Sequence, residues 1–221
     1  MTIAMTARIF IALLATALAV AGCATRLVPA PDAMLLPGRG GGAMGEAAGV
    51  RLFARTEAWS GDPATLDYEM TPILVTVENG SSIPLRLRYN QFSLGAASGQ
   101  LFVARAPSDI TGFVTETRPG ASVGFGGGMS WGFPGSRFGW DPFPNDPFYD
   151  PYFRRQIPLP TGDMVRKALP ETVVEPGAQV SGFVYFEKVR GADRVTLHAT
   201  LVNARTDERF GVVSIPFIVK K

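Results

Sequence analysis

The sequence holds one cysteine and one histidine, so it has little of the two residue types that most often ligate metals or act as nucleophile, acid and base. With Cys23 alone, no intrachain disulfide can form. With His198 alone, no histidine-based zinc site or acid–base cluster can be assembled. An excess of one charge is also missing. Basic residues number 21 and acidic residues 19, and nothing in that balance suggests the clustered basic face that an electrostatic nucleic-acid binder needs. No P-loop and no G-x-G-x-x-G fingerprint occurs. The apolar run Ile9–Ala21 is shorter than the ~20 residues needed to span a bilayer. Glycine (25) and proline (18) are abundant, which favours turns over long helices.

The amino terminus reads as an export signal. Arg8 supplies a positive n-region and Ile9–Ala21 an uncharged h-region. The run ends in Val20-Ala21-Gly22-Cys23. This resembles the lipobox of bacterial lipoproteins: a branched apolar residue, two small ones, then cysteine. The resemblance implies cleavage after residue 22, a diacylglycerol on the Cys23 sulfur and an acyl group, typically palmitate, on its nitrogen. Several acyl chains anchor stably where one is marginal. The competing reading is an ordinary signal peptide with an incidental cysteine. Residue 24 is Ala rather than Asp, the residue that commonly retains such lipoproteins at the inner membrane. The expected location is therefore the outer membrane, facing the periplasm.

Residues 23–49 read as a flexible tether, because prolines 29, 31 and 37 and the run Gly38-Arg39-Gly40-Gly41-Gly42 interrupt any periodicity. From Val50 to residue 221 the pattern is that of short strands. Residues 51–59, 73–78, 85–89 with 92–94, 101–104, 180–189, 195–202 and 210–219 alternate or are β-branched, and turn residues separate them. The nearly continuous apolar run 180–189 suggests a central strand, and Pro216 suggests an edge or bulge in the last one. Trp59, Ile73, Val75, Val77, Val184, Phe186, Leu197 and Leu201 are the expected core. One short helix is expected after Thr161, through Met164 to Leu169, ended by Pro170.

Three stretches carry a resemblance: Thr71–Ser81 (T-P-I-L-V-T-V-E-N-G-S), Arg88–Leu94 (R-Y-N-Q-F-S-L) and Glu175–Glu187 (E-P-G-A-Q-V-S-G-F-V-Y-F-E). They resemble the Ig-like, telokin-like accessory sandwich of small bacterial envelope lipoproteins. The resemblance covers residues 50–115 and 171–219. It implies a mostly β fold: an Ig-like antiparallel β-sandwich of about seven strands, with one short helix and a long Gly/Pro/aromatic-rich insertion. It lends no catalytic residue.

The insertion, residues 119–160, is unlike the rest. After the glycine run 124–128 come Trp131, Phe133, Phe138, Trp140, Phe143, Phe148, Tyr149, Tyr152 and Phe153. Asp141, Asp146 and Asp150 each precede a proline and an aromatic ring. Prolines at this density oppose helix and sheet, while so many rings argue against a plain solvated linker. Three readings compete: a loop covering the domain's own apolar face, a partner-binding loop, and sugar binding by ring stacking, for example to peptidoglycan. The aspartate spacing does not fit an EF-hand, so no metal is expected there.

Gly128-Met129-Ser130-Trp131-Gly132 matches G-x-S-x-G, with Asp193 and His198 in the chain order of a triad. A nucleophile elbow needs a strand before the serine and a helix after it. Here a glycine run precedes it and Pro134-Gly135 follows. Glu171, Glu175 and Glu187 read as surface charges rather than a carboxylate pair. The expectation is a non-enzymatic, membrane-anchored module of the cell envelope, with no cofactor and no nucleic-acid partner. It would bind or support another envelope protein or peptidoglycan. The alternative is a cell-wall hydrolase or a sugar-binding protein using the insertion.

Overall fold

A computed structural model describes residues 25–36, 42–119 and 152–220. The strands are β1 (Arg26–Pro29), β2 (Met34–Leu35), β3 (Gly42–Ala47), β4 (Val50–Arg55), β5 (Met70–Asn79), β6 (Leu85–Leu87) and β7 (Phe92–Ala96). They continue with β8 (Leu101–Val103), β9 (Phe113–Pro119), β10 (Tyr152–Pro158), β11 (Thr172–Val174), β12 (Gln179–Glu187), β13 (Arg194–Asn203) and β14 (Arg209–Lys220). Two short helices, α1 (Leu66–Glu69) and α2 (Gly162–Lys167), complete the fold.

Period-two alternation decides which faces meet. On β5, Ile73, Val75 and Val77 share one face and are buried; on β13, Val195, Leu197, Ala199 and Leu201 do the same. The two faces close on each other, making an antiparallel β-sandwich. One sheet runs β12-β5-β4-β3-β2. The other runs β1-β14-β13, and β13 then divides its far edge between two partners. Residues 195–199 pair with β7, which carries β8, and residues 202–203 pair with β6, which carries β11. The change of partner coincides with a register shift between Leu201 and Val202. The two halves of the sequence pair across the insertion, β5 with β12 and β7 with β13.

The first sheet is covered on its outer side as well. Val184 and Phe186 of β12 face the sandwich core, whereas Phe183 and Tyr185 face a second cluster with Leu66, Met70, Ile110, Val114 and Met164. That corrects the reading of 180–189. The run is apolar because both faces are buried, yet β12 lies at the edge of its sheet. Its open edge is shielded by chain instead. The Leu169 amide donates to the Phe183 carbonyl at 2.9 Å and the Arg105 amide to the Tyr185 carbonyl at 2.9 Å.

Four further expectations change. The tether assigned to 23–49 is sheet over much of its described length: β1 pairs with β14, and β3 with β4. Composition rich in Gly and Pro concealed both strands, β1 with a partner far along the chain and β3 in a hairpin with the next strand. Pro216 lies inside β14, between β1 and β13, not on an edge strand. It is tolerated because its nitrogen faces the side where β1 ends, where its carbonyl accepts from the Ala30 amide at 3.1 Å. Trp59 lies past the end of β4, half-buried, and packs edge-on to Phe183 (5.1 Å between centroids) in the second cluster. The insertion is regular at both ends. β9 and β10 form a two-stranded ribbon in continuous register from Phe113↔Pro158 to Pro119↔Tyr152. The remaining core residues expected from sequence, from Ile73 to Leu201, are all buried. The expected helix is α2, where the Thr161 hydroxyl accepts from the Met164 amide at 3.3 Å.

Candidate functional site

Among the described residues, those singled out from sequence are not gathered in one place. Cys23 and Ser130 lie outside the described residues, as do Asp141, Asp146 and Asp150 and the rings of Trp131, Phe133, Phe138, Trp140, Phe143, Phe148 and Tyr149. The ribbon accounts for the backbone of the last two candidates: Phe153 lies opposite Arg118 and Tyr152 opposite Pro119. Val114 and Ile157 on the same ribbon are buried, and the Glu116 carboxylate accepts from the Ala64 amide at 2.7 Å. The base of the ribbon is thus fastened to the sandwich, and residues 120–151 connect its two paired ends.

His198 sits on β13 opposite Ser214 of β14, with its Nδ1 3.0 Å from the Ser214 Oγ. No carboxylate is hydrogen-bonded to that pair among the described residues. Asp193 precedes the same strand by one residue, and five residues of extended chain separate it from His198 by about 16 Å. The two cannot share a triad. Glu171 accepts from the Tyr89 amide at 3.0 Å, Glu187 is ion-paired with Arg105, and Glu175 precedes the turn before β12. Glu175 and Glu187 flank opposite ends of β12, so they form no carboxylate pair. Among the described residues no group of three or more His, Cys, Asp or Glu side chains is placed to hold a metal.

A cleft of about 310 Å³ opens where the chain enters the sandwich, and sequence reasoning did not find it. Leu27, Trp59 and Met70 give it apolar walls; Glu57, Asp67 and Lys188 give it charge. Glu57 and Lys188 are already engaged. Arg26 pairs with Glu57 at 3.4 Å. The Lys188 ammonium donates to the Thr25 carbonyl at 2.6 Å and to the Asp67 carbonyl. Burial holds the Lys188 pKa below the usual lysine value, an effect that the nearby Asp67 partly offsets. Thr25 is held a second time, its hydroxyl donating to the Val189 carbonyl at 3.0 Å. The only hint in the sequence is a lysine beside Val189 at the end of an apolar strand. The arrangement fixes the first described residue to the body of the domain; it does not set up a nucleophile or a base.

The described residues define an antiparallel β-sandwich with a two-stranded ribbon fastened to it. No protein-family model matches the chain, and neither a curated protein nor a solved structure is significantly similar to it.

Proposed function

We propose that this chain is a lipoprotein of the bacterial envelope, anchored through Cys23 and acting without catalysis as a binding or structural module. The export signal and the Val20-Ala21-Gly22-Cys23 sequence support the anchor, and Ala24 favours the outer membrane. On this reading the sandwich is of the Ig-like kind found in small envelope lipoproteins. One observation supports a binding role above the others. The ribbon brings Pro119 and Tyr152 opposite each other, so the aromatic-rich stretch 120–151 is joined to the sandwich through one paired base. Rings concentrated on a glycine- and proline-rich backbone make adaptable contacts with another envelope protein or with peptidoglycan.

The experiment has two arms. Cys23→Ser should release the protein from membranes and abolish labelling by radioactive fatty acid; a mutant that is still labelled overturns the anchor. Crosslinking in whole cells should capture a partner with the parent chain and lose it when residues 120–151 are removed. Equal capture by both proteins overturns the role of the insertion. A hydrolase reading has less support, because His198 is engaged by Ser214 and lies far from Asp193.

A further inference from the structure

A lipid anchor normally joins its domain through a spacer, and here the structure leaves none. Thr25 is fixed to Val189 and Lys188, and β1 begins at the next residue. Only Ala24 separates Thr25 from Cys23. Two residues of fully extended chain span at most about 7 Å. A lipidated Cys23 therefore lies within that distance of the sandwich surface at Thr25.

We infer that the domain is seated on the bilayer by the end that carries Thr25, with Arg190 and Lys220 among the lipid headgroup phosphates. The inference rests on the lipoprotein reading. Lys220 pairs with Arg26 at the end of β14, and Arg190 follows the Val189 carbonyl that holds Thr25. Both cations are exposed and have no ion-pair partner among the described residues. The other cations of this end are engaged: Arg26 with Glu57, Arg194 with Asp32, Lys188 with backbone carbonyls. Asp67 and Asp193 share the same end, so net charge does not drive the contact. The short leash does. It holds the surface at an effective concentration in the millimolar range, where contacts too weak to act in solution are occupied. The opposite end, with the 204–208 turn, then stands away from the membrane by the length of β14, about 36 Å.

The test uses the full lipidated chain in phospholipid vesicles that contain a nitroxide headgroup lipid. A fluorophore is placed on Arg190→Cys or on Arg205→Cys at the far turn. Quenching should be several-fold stronger at position 190 than at 205. Inserting a 20-residue glycine-serine spacer between Ala24 and Thr25 should erase that difference while the protein stays lipidated. Equal quenching at both positions in the labelled, lipidated protein overturns the inference and leaves the anchor intact. Strong quenching at 190 that survives the spacer shows that the leash does not set the orientation, which also overturns it. Absence of fatty-acid label removes the lipoprotein reading and the inference together.

Discussion

Gly182 and Leu169 meet backbone to backbone: a Cβ on Gly182 would lie 2.5 Å from the Leu169 nitrogen and 2.7 Å from the Ala168 carbonyl carbon. That approach lets the 168–169 segment close the free edge of β12. No side-chain rotation relieves the clash, since the obstructing atoms are backbone. Gly182→Ala should therefore fall at or beyond the top of the ~1–3 kcal/mol range for overpacking. A thermal melt reads it directly, and an unchanged Tm would mean that the segment can step away from the strand at no cost.

Asn79 ends β5 and is buried. Its amide donates to the carbonyls of Ile83 and Val174, both at 2.8 Å, and its Oδ1 accepts from the Ser81 amide and hydroxyl. The side chain thereby ties β5 to β11 across the sandwich. Asn79→Ala removes the amide donor to the Val174 carbonyl and the acceptor of the Ser81 amide, while the Ile83 carbonyl keeps the Ser81 hydroxyl at 3.1 Å, and it should cost about 2–4 kcal/mol at ~1–3 kcal/mol for each unsatisfied group. Asn79→Asp should be worse, because it sets an acceptor against those carbonyls. Denaturant midpoints order the three proteins, and an Asp variant as stable as the parent would show that water reaches the site.

Those two residues mark how far the sequence was legible. Alternation located most of the sandwich strands from 50 onward, because a half-buried strand writes its environment into every second residue, but not the three-residue β11, too short to show a period. The second cluster was not legible. Leu66, Ile110, Val114 and Met164 are single apolar residues in separate segments, joined only by the fold. β1 and β3 read as tether because glycine and proline dominate their surroundings; β1 pairs non-locally with β14, and the short hairpin of β3 with β4 is rich in Gly and Ala rather than β-branched residues. The cleft at Thr25 was missed for a related reason: its charged groups are drawn from positions near 25, 57, 67 and 188. The Thr161 cap, a wholly local signal, was read correctly.

Tyr185 gives the fold a dependence on alkaline pH. Its hydroxyl donates to the Met164 carbonyl at 2.9 Å inside the second cluster. Burial pushes its pKa well above the usual tyrosine value of 10.0. The unfolded chain then loses this proton as pH rises through about 10 while the folded chain keeps it. Stability from this group is present below pH 10 and falls above it. Tyr89 acts in the same direction, and Lys188, with its lowered pKa, acts in the opposite one. The comparison is therefore between the parent and Tyr185→Phe. The variant should be about 1–2 kcal/mol less stable at pH 7, for want of a donor to Met164. The gap should narrow as pH rises past 10. A constant gap across pH 8–11 would show that the phenol ionises equally in both states.

The aromatic insertion is tested by removing it at the boundary the ribbon defines. Because Pro119 and Tyr152 are paired, residues 120–151 can be replaced by Asn-Gly, a pair that closes a two-stranded ribbon in a tight turn. The ribbon keeps its attachments, since Val114, Ile157 and the Glu116 contact to Ala64 all lie inside the retained strands. Shortening also lowers the entropy lost on closing the loop, by about 0.6 kcal/mol for each halving of its length. If the rings serve a partner, the variant should melt at or above the parent temperature, remain soluble and lose capture of that partner. If they cover the sandwich's own apolar surface, the variant should melt several degrees lower and aggregate, with capture unaffected. The melt and the capture assay must be run on the same preparation, because a fall in Tm with loss of capture would come from unfolding alone. That last result is separated from the first by a full-length variant in which the aromatic residues of 120–151 are replaced by Leu, which preserves apolar cover and removes ring-specific contacts. Recovery of Tm without capture assigns the rings to the partner; recovery of both assigns them only to apolar burial.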